Sequence, residues 1–310
     1  MRFAGRIVWI AIFLTAAAGA FRSHAQQPSG SVNPGNDVQP EARVLVTIAS
    51  QKGGSIVVPN ASAISIRDNG RPVQGAELQA VKDEPLVFSL LVDTSGSMRA
   101  IRPTENDAAE KIFIALDKPG NQAYLNLFPA GGSGDLDGRV VDLETARREI
   151  GFSGRRGSTN LYDSIGDAVP LLTSSRYSKI PRRVIVALTD GDDNSSRTSF
   201  GGALGSLQRF GIPLIGVYIR DPNFRNGTNS KGEAKESRKN LRNLCEYSGG
   251  EEIDYDEPGA FLASILSYLD NQYLLRFAPS PESPHELHSL QLKCSLSDCA
   301  VSAPAWYFAP

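Results

Sequence analysis

Residues 86–92, Leu86-Val87-Phe88-Ser89-Leu90-Leu91-Val92, form a nearly unbroken apolar run. A run of this length that is apolar on both faces fits a strand covered on both sides, as in a parallel sheet. From about residue 85 such runs alternate with helical patterns. Strands are expected at 86–92, 123–128, 139–143, 183–188, 212–219 and 251–255, and helices at 105–116, 161–172, 199–210, 237–247 and 258–269. Strand–helix alternation of this kind predicts an α/β fold, a doubly wound and mostly parallel sheet with helices on both faces. The 139–143 run follows its predecessor through a short Gly-rich loop and is expected to lie antiparallel at an edge.

The flanks read differently. Residues 41–83 carry strand signals without helix signals, including a tight turn at Asp68-Asn69-Gly70. After Gln272 the chain becomes strand-like again, at 273–277, 287–292 and 300–308. Neither flank alone offers enough strands for a stable sheet, so the two are expected to pack together as one small β domain. The division expected is a signal peptide at 1–25, a linker at 26–40, an N-terminal β segment at 41–83, the α/β domain at 84–271 and a C-terminal β segment at 272–310.

The signal reading rests on Arg2 and Arg6, the apolar stretch 7–20, and the small residues of Ser23-His24-Ala25 before Gln26. It predicts export to the periplasm or exterior, with an uncleaved anchor as the alternative. No later segment is long and apolar enough to span a membrane. The formal net charge of −2 offers no bulk electrostatic case for nucleic acid. In an oxidising compartment Cys294 and Cys299, five positions apart, are expected to pair, and Cys245 to be a small buried hydrophobe.

Chemistry concentrates at the ends of the predicted strands. Asp93-Thr94-Ser95-Gly96-Ser97-Met98 brings one carboxylate and two hydroxyls into one loop directly after the first apolar run. Gly157-Ser158-Thr159-Asn160 supplies a hydroxyl where a helix starts, and Leu188-Thr189-Asp190-Gly191 a second carboxylate where another strand ends. These are hard oxygen donors, suited to Mg2+ or Ca2+ and not to Zn2+. Open α/β sheets bind ligands outside the carboxyl ends of their strands, where all three loops fall. Asp163 reads as a favourable charge at its helix N-terminus, and Asp192 and Asp193 as solvated.

Other motifs are weaker. His285-x-x-His288 with Cys294 nearby matches no standard zinc spacing and reads as a solvated loop. The Gly-rich stretch 130–134 lacks the Lys-Ser/Thr of a phosphate loop. There is no G-x-S-x-G elbow, and three histidines, one of them in the signal, leave little for a Ser-His-Asp triad.

Taken together, Asp93-Thr94-Ser95-Gly96-Ser97-Met98, 157–163 and Leu188-Thr189-Asp190-Gly191 resemble the metal-ion-dependent adhesion site of von Willebrand factor A (VWA) domains, over roughly residues 84–271. The flanks are similar to those of an exported bacterial subgroup of these domains. Residues 119–124 lack the acidic residue that relatives often carry before the second strand. The resemblance implies a Mg2+ ion, with Mn2+ or Ca2+ as alternatives, held by Asp93, Ser95, Ser97, Thr159 and Asp190. It implies protein binding and no enzymatic activity: a partner's Asp or Glu would fill an open position on the metal, selected by the loops at 131–137 and 194–200. The alternatives are an envelope protein whose metal only stabilises the fold, and a metal-assisted hydrolase. A phosphatase of the haloacid-dehalogenase type would need an Asp at the position of Ser95.

Overall fold

The computed structural model describes residues 40–50, 61–128, 140–151, 157–220, 231–255 and 259–310. The signal and linker readings, the Gly-rich loop 130–134 and the loop 131–137 lie outside the described residues.

The N-terminal flank supplies β1 (Ala42–Ala49), β2 (Ile64–Asp68), β3 (Arg71–Pro72) and β4 (Glu77–Ala80). The α/β part follows as β5 (Leu86–Asp93), α1 (Arg102–Leu116), β6 (Gln122–Phe128), α2 (Leu143–Gly151), α3 (Leu161–Leu172), β7 (Arg182–Thr189), α4 (Phe200–Phe210), β8 (Leu214–Tyr218), α5 (Lys231–Ser248), β9 (Glu251–Asp254) and α6 (Ala260–Asp270). The C-terminal flank adds β10 (Gln272–Phe277), β11 (Leu287–Cys294), β12 (Ala300–Ser302) and β13 (Trp306–Phe308).

The strands β5 to β9 form one sheet in the order β6-β5-β7-β8-β9, and every pairing in it is parallel. Every residue of β5 is buried. Its side chains alternate between two layers: Leu86, Phe88, Leu90 and Val92 join the apolar faces of α1, α2 and α6, whereas Val87 and Leu91 join those of α3, α4 and α5. The doubly wound α/β sheet is therefore present, with β5 between β6 and β7. The chain leaves β5 toward β6 on one side and returns to β7 on the other. The strand order thus reverses between β5 and β7, and their carboxyl ends bound the crevice where such sheets take ligands.

Each flank completes the other. In one antiparallel sheet, ordered β12-β1-β10-β4, β1 of the N-terminal flank lies beside β10 of the C-terminal flank, in register Ala42↔Phe277 through Thr47↔Gln272. In the other, ordered β13-β11-β2-β3, β2 pairs with β11. Between them pack Val44, Val46, Ile48, Ile66, Leu275 and Tyr307. Asn69 (φ 47°) and Gly70 (φ 79°) make the expected turn into β3.

Arg182 links these sheets to the parallel one. Its guanidinium is buried at the start of β7. It donates to Gln272 Oε1 at 3.1 Å, Lys82 O at 2.7 Å, Glu84 O at 3.0 Å and Leu269 O at 3.0 Å.

Four readings of the sequence are corrected. Residues 140–142 are not a strand: Val141 N donates to Ala123 O at 3.0 Å, and the Asp142 carboxylate caps α2 through Thr145 N at 2.8 Å. The run 300–308 is split into β12 and β13, which belong to different sheets. Glu77–Ala80, largely exposed, is an edge strand that the sequence reading passed over. His288 is not solvated; it is fully buried on β11, with Nδ1 2.9 Å from Asp68 Oδ1.

Cys294 and Cys299 are bonded, with Cα atoms 6.0 Å apart, and Cys245 is free and buried in α5. Among the described residues no helix is long and apolar enough to cross a membrane.

Candidate metal centre

The last residue of β5, Asp93, is completely buried. Its Oδ1 accepts from Ser95 N at 3.0 Å, which folds the loop back over the carboxylate, and its Oδ2 accepts from Thr189 Oγ1 at 2.7 Å. The strands β5 and β7 are thereby tied at their carboxyl ends. The Thr94 hydroxyl, 2.9 Å from Phe128 O, fixes the loop to the end of β6, and buried Met98 anchors its far side in the core. Between these anchors the hydroxyls of Ser95 and Ser97 lie 3.0 Å apart.

The other two segments close on this loop. Gly96 N reaches Gly157 O at 3.3 Å and so holds the Thr159 segment beside it. Thr159 is then clamped from the loop after β7: its N donates to Asn194 Oδ1 at 2.8 Å, and its carbonyl accepts from Asn194 N and Ser195 N, each at 3.0 Å. Asp190 follows β7 directly. Its Oδ1 accepts from Asp192 N at 3.1 Å, and the Ser97 hydroxyl also bonds its side chain. Gly191 turns the chain at φ 82°, and a Cβ there would stand 2.9 Å from Ser237 O of α5. That position needs glycine for both its backbone and its clearance.

The structure thus ties Asp93, Ser95, Ser97 and Asp190 together, holds the Thr159 segment next to their loop through Gly157, and buries all five of these sequence-predicted residues. Two carboxylates without a cation repel each other there. Burial, and then the charge of Asp190, push the Asp93 carboxyl up to about 7; the hydrogen bonds from Ser95 and Thr189 oppose the rise. Asp190 is raised by burial first and by Asp192 second, with Ser97 opposing. Like charges buried together are costly unless a cation or a proton compensates them. The donor set, two carboxylates and three hydroxyls, fits a hard divalent ion. Among the described residues no group of three or more His, Cys, Asp or Glu could hold a metal, so this candidate depends on its hydroxyls.

Asp163 lies in the first turn of α3, as expected, and three acidic residues make bonds beyond their sequence readings. The Thr198 side chain, then Arg197 N at 3.0 Å and Thr198 N at 2.9 Å, bond the Asp163 carboxyl, hold it below the usual range and brace the loop ahead of α4. Asp193 accepts from Tyr162 N at 2.8 Å, and so supplies a capping bond to α3 from another loop. Asp192 accepts from the Ser237 hydroxyl of α5.

Glu105, in the first turn of α1, was missed. It is fully buried beside Asp93 and Arg102. Burial, and then Asp93, push its carboxyl well up, against the opposing charge of Arg102 at 3.8 Å. Arg102 in turn donates to the Thr94 and Ser95 carbonyls at 2.9 and 3.1 Å, behind the Asp93 loop. One signal was available: residues 105, 109, 112 and 116 follow helical spacing on the buried face of α1, which places a carboxylate on an apolar stripe.

No protein-family model matches the chain, and no curated protein matches it. Solved structures do. The open conformation of the pilus adhesin SpaC from Lactobacillus rhamnosus GG is similar at 11% identity, over 79% of this chain and 47% of that one, with a TM-score of 0.42. The chain thus spans about half the length of that adhesin. The manganese-loaded TRAP protein of Plasmodium vivax is similar at 16% identity, over 76% of this chain and 98% of that one, with a TM-score of 0.38.

Proposed function

We propose that this chain is an exported binding module of the VWA type, in which residues 84–271 use a divalent cation to capture a carboxylate of a partner protein. One observation supports the reading: Asp93 and Asp190 are buried together at the reversal of strand order and bonded to Ser95 and Ser97, with the Thr159 segment held next to their loop through Gly157. These five residues would hold Mg2+, with Mn2+ or Ca2+ as substitutes. A bound cation supplies an electropositive position that accepts a carboxylate oxygen from outside. Asp93 fixes the loop through Ser95 N, Thr189 ties it to β7, and Asn194 and Ser195 hold Thr159 in place. The loop 194–199, braced by Asp163, would frame the incoming group and contribute selectivity.

Binding is favoured over hydrolysis by where the histidines stand. Among the described residues His288 is committed to Asp68 in the β region, and His285 is on the same flank. Neither is a general base for the loops at Asp93 and Asp190.

The test is a crosslinking pull-down of the exported protein in Mg2+ and in EDTA. The expected result is a partner recovered only with Mg2+, and lost when one surface Asp or Glu of that partner is changed to its amide. Equal recovery in both conditions contradicts the proposal.

A further inference from the structure

The opposite pole of the α/β sheet carries a second cleft, of about 520 Å3, between the β1-β10-β4 sheet and the segments that lead into β7 and β8. Arg43, Lys179, Arg183 and Arg276 line it, with Glu84 as the one carboxylate in its wall. On the sheet side, Arg43 of β1 stands directly opposite Arg276 of β10. Like charges directly opposite each other on one face of an antiparallel pair are destabilising. Each is offset by an outer carboxylate, Arg43 by Glu41 at 2.7 Å and Arg276 by Glu77 at 2.8 Å. Across the cleft, Arg183 gives one N–H to Tyr177 O at 2.9 Å, and burial lowers its basicity. Neither Arg183 nor Lys179 forms an ion pair among the described residues. The cleft thus gathers more cationic than anionic groups.

Its walls also define what accompanies the anion. Leu45 and Leu274 lie opposite each other one step along the same sheet face, and Phe210, 45% exposed, closes the side. Gln79 and Ser178 add an amide and a hydroxyl. A bare inorganic anion would leave the apolar wall uncovered, and an acyl chain would leave the amide and hydroxyl without partners. We infer that this cleft is a second binding site, for an acidic peptide segment whose carboxylate meets Lys179 and Arg183 and whose neighbouring apolar side chain covers Leu274 and Phe210. It lies at the amino ends of the parallel strands, away from Asp93 and Asp190, and needs no metal.

The test is an NMR titration of the full chain in excess EDTA with acetyl-Leu-Asp-Leu-amide, its Asn counterpart, and octanoate. The Asp peptide is expected to shift the signals of Lys179, Arg183 and Leu274, and the Asn peptide to bind about tenfold more weakly or less, as loss of a charge-assisted bond implies. Lys179→Gln and Arg183→Gln are expected to weaken the Asp peptide by a similar factor, and Asp93→Asn to leave it unchanged. Should Arg183→Gln fold poorly, Lys179→Gln, an exposed position, carries the test. Equal binding of the two peptides, wild-type binding by folded variants, absence of shifts in the cleft, or tighter binding of octanoate overturns the inference. None of these outcomes depends on the cation site.

Discussion

Asp93→Asn makes the metal-free protein more stable at neutral pH and abolishes its response to Mg2+. The side chain is buried and its carboxyl is raised to about 7, chiefly by that burial. An acid whose folded pKa lies above its unfolded value binds more protons folded than unfolded, so stability falls as pH rises. The window runs from 3.8 to about 7, and the penalty is complete above it. Asparagine keeps the shape and the Oδ1 acceptor for Ser95 N but has no charge to bury. The metal-free variant should therefore gain on the order of 2–4 kcal/mol over wild type at pH 7, shrinking toward zero near pH 4. With Mg2+ most of that gap closes. A cation present at one hundred times its dissociation constant stabilises wild type by about 2.7 kcal/mol, whereas the variant lacks one of two anionic ligands. Urea unfolding at pH 4, 5.5 and 7, with EDTA or with Mg2+, reads both effects. A variant less stable than wild type in EDTA would instead give Asp93 a purely structural role.

The second large effect lies at the other end of the sheet. Arg182→Met should lower stability by about 2–3 kcal/mol, because it deprives the buried Leu269 carbonyl, the part-buried Lys82 and Glu84 carbonyls and the Gln272 side chain of a charged donor. Arg182→Lys should recover only part of the loss, since one ammonium cannot reproduce the fork that spans Lys82, Glu84 and Leu269. These bonds join the start of β7 to the turn before β5, the end of α6 and the start of β10. A loosened joint should therefore also make unfolding less cooperative. A loss under about 1 kcal/mol in urea would show that the joint is held mainly by apolar packing.

What was legible in the chain follows from what local pattern encodes. The apolar run of β5 and the helical period of α3 carry their own signal, and 161–172 matches the observed helix at both ends. The Asp93, Thr159 and Asp190 segments were legible because each adjoins a strand end or a helix start. One failure is local, and the others depend on partners distant in sequence. Val140-Val141 has strand composition, but the Asp142 cap starts a helix there. Glu77–Ala80 is a strand only because β10 lies beside it. Asn194 and Ser195 become supports for Thr159 although they lie 35 and 36 positions further along the chain. His288 looked solvated because its partner, Asp68, is 220 positions earlier.

The central claim is that Asp93, Ser95, Ser97, Thr159 and Asp190 form one divalent-cation site. Calorimetric titration of the metal-free protein with Mg2+ tests it most directly. One saturable site per chain is expected in wild type, weakened in Thr159→Val and absent from the Asp93→Asn, Asp190→Asn double variant, with the fold of each variant verified by circular dichroism. Undiminished Mg2+ binding by the folded double variant would contradict the account.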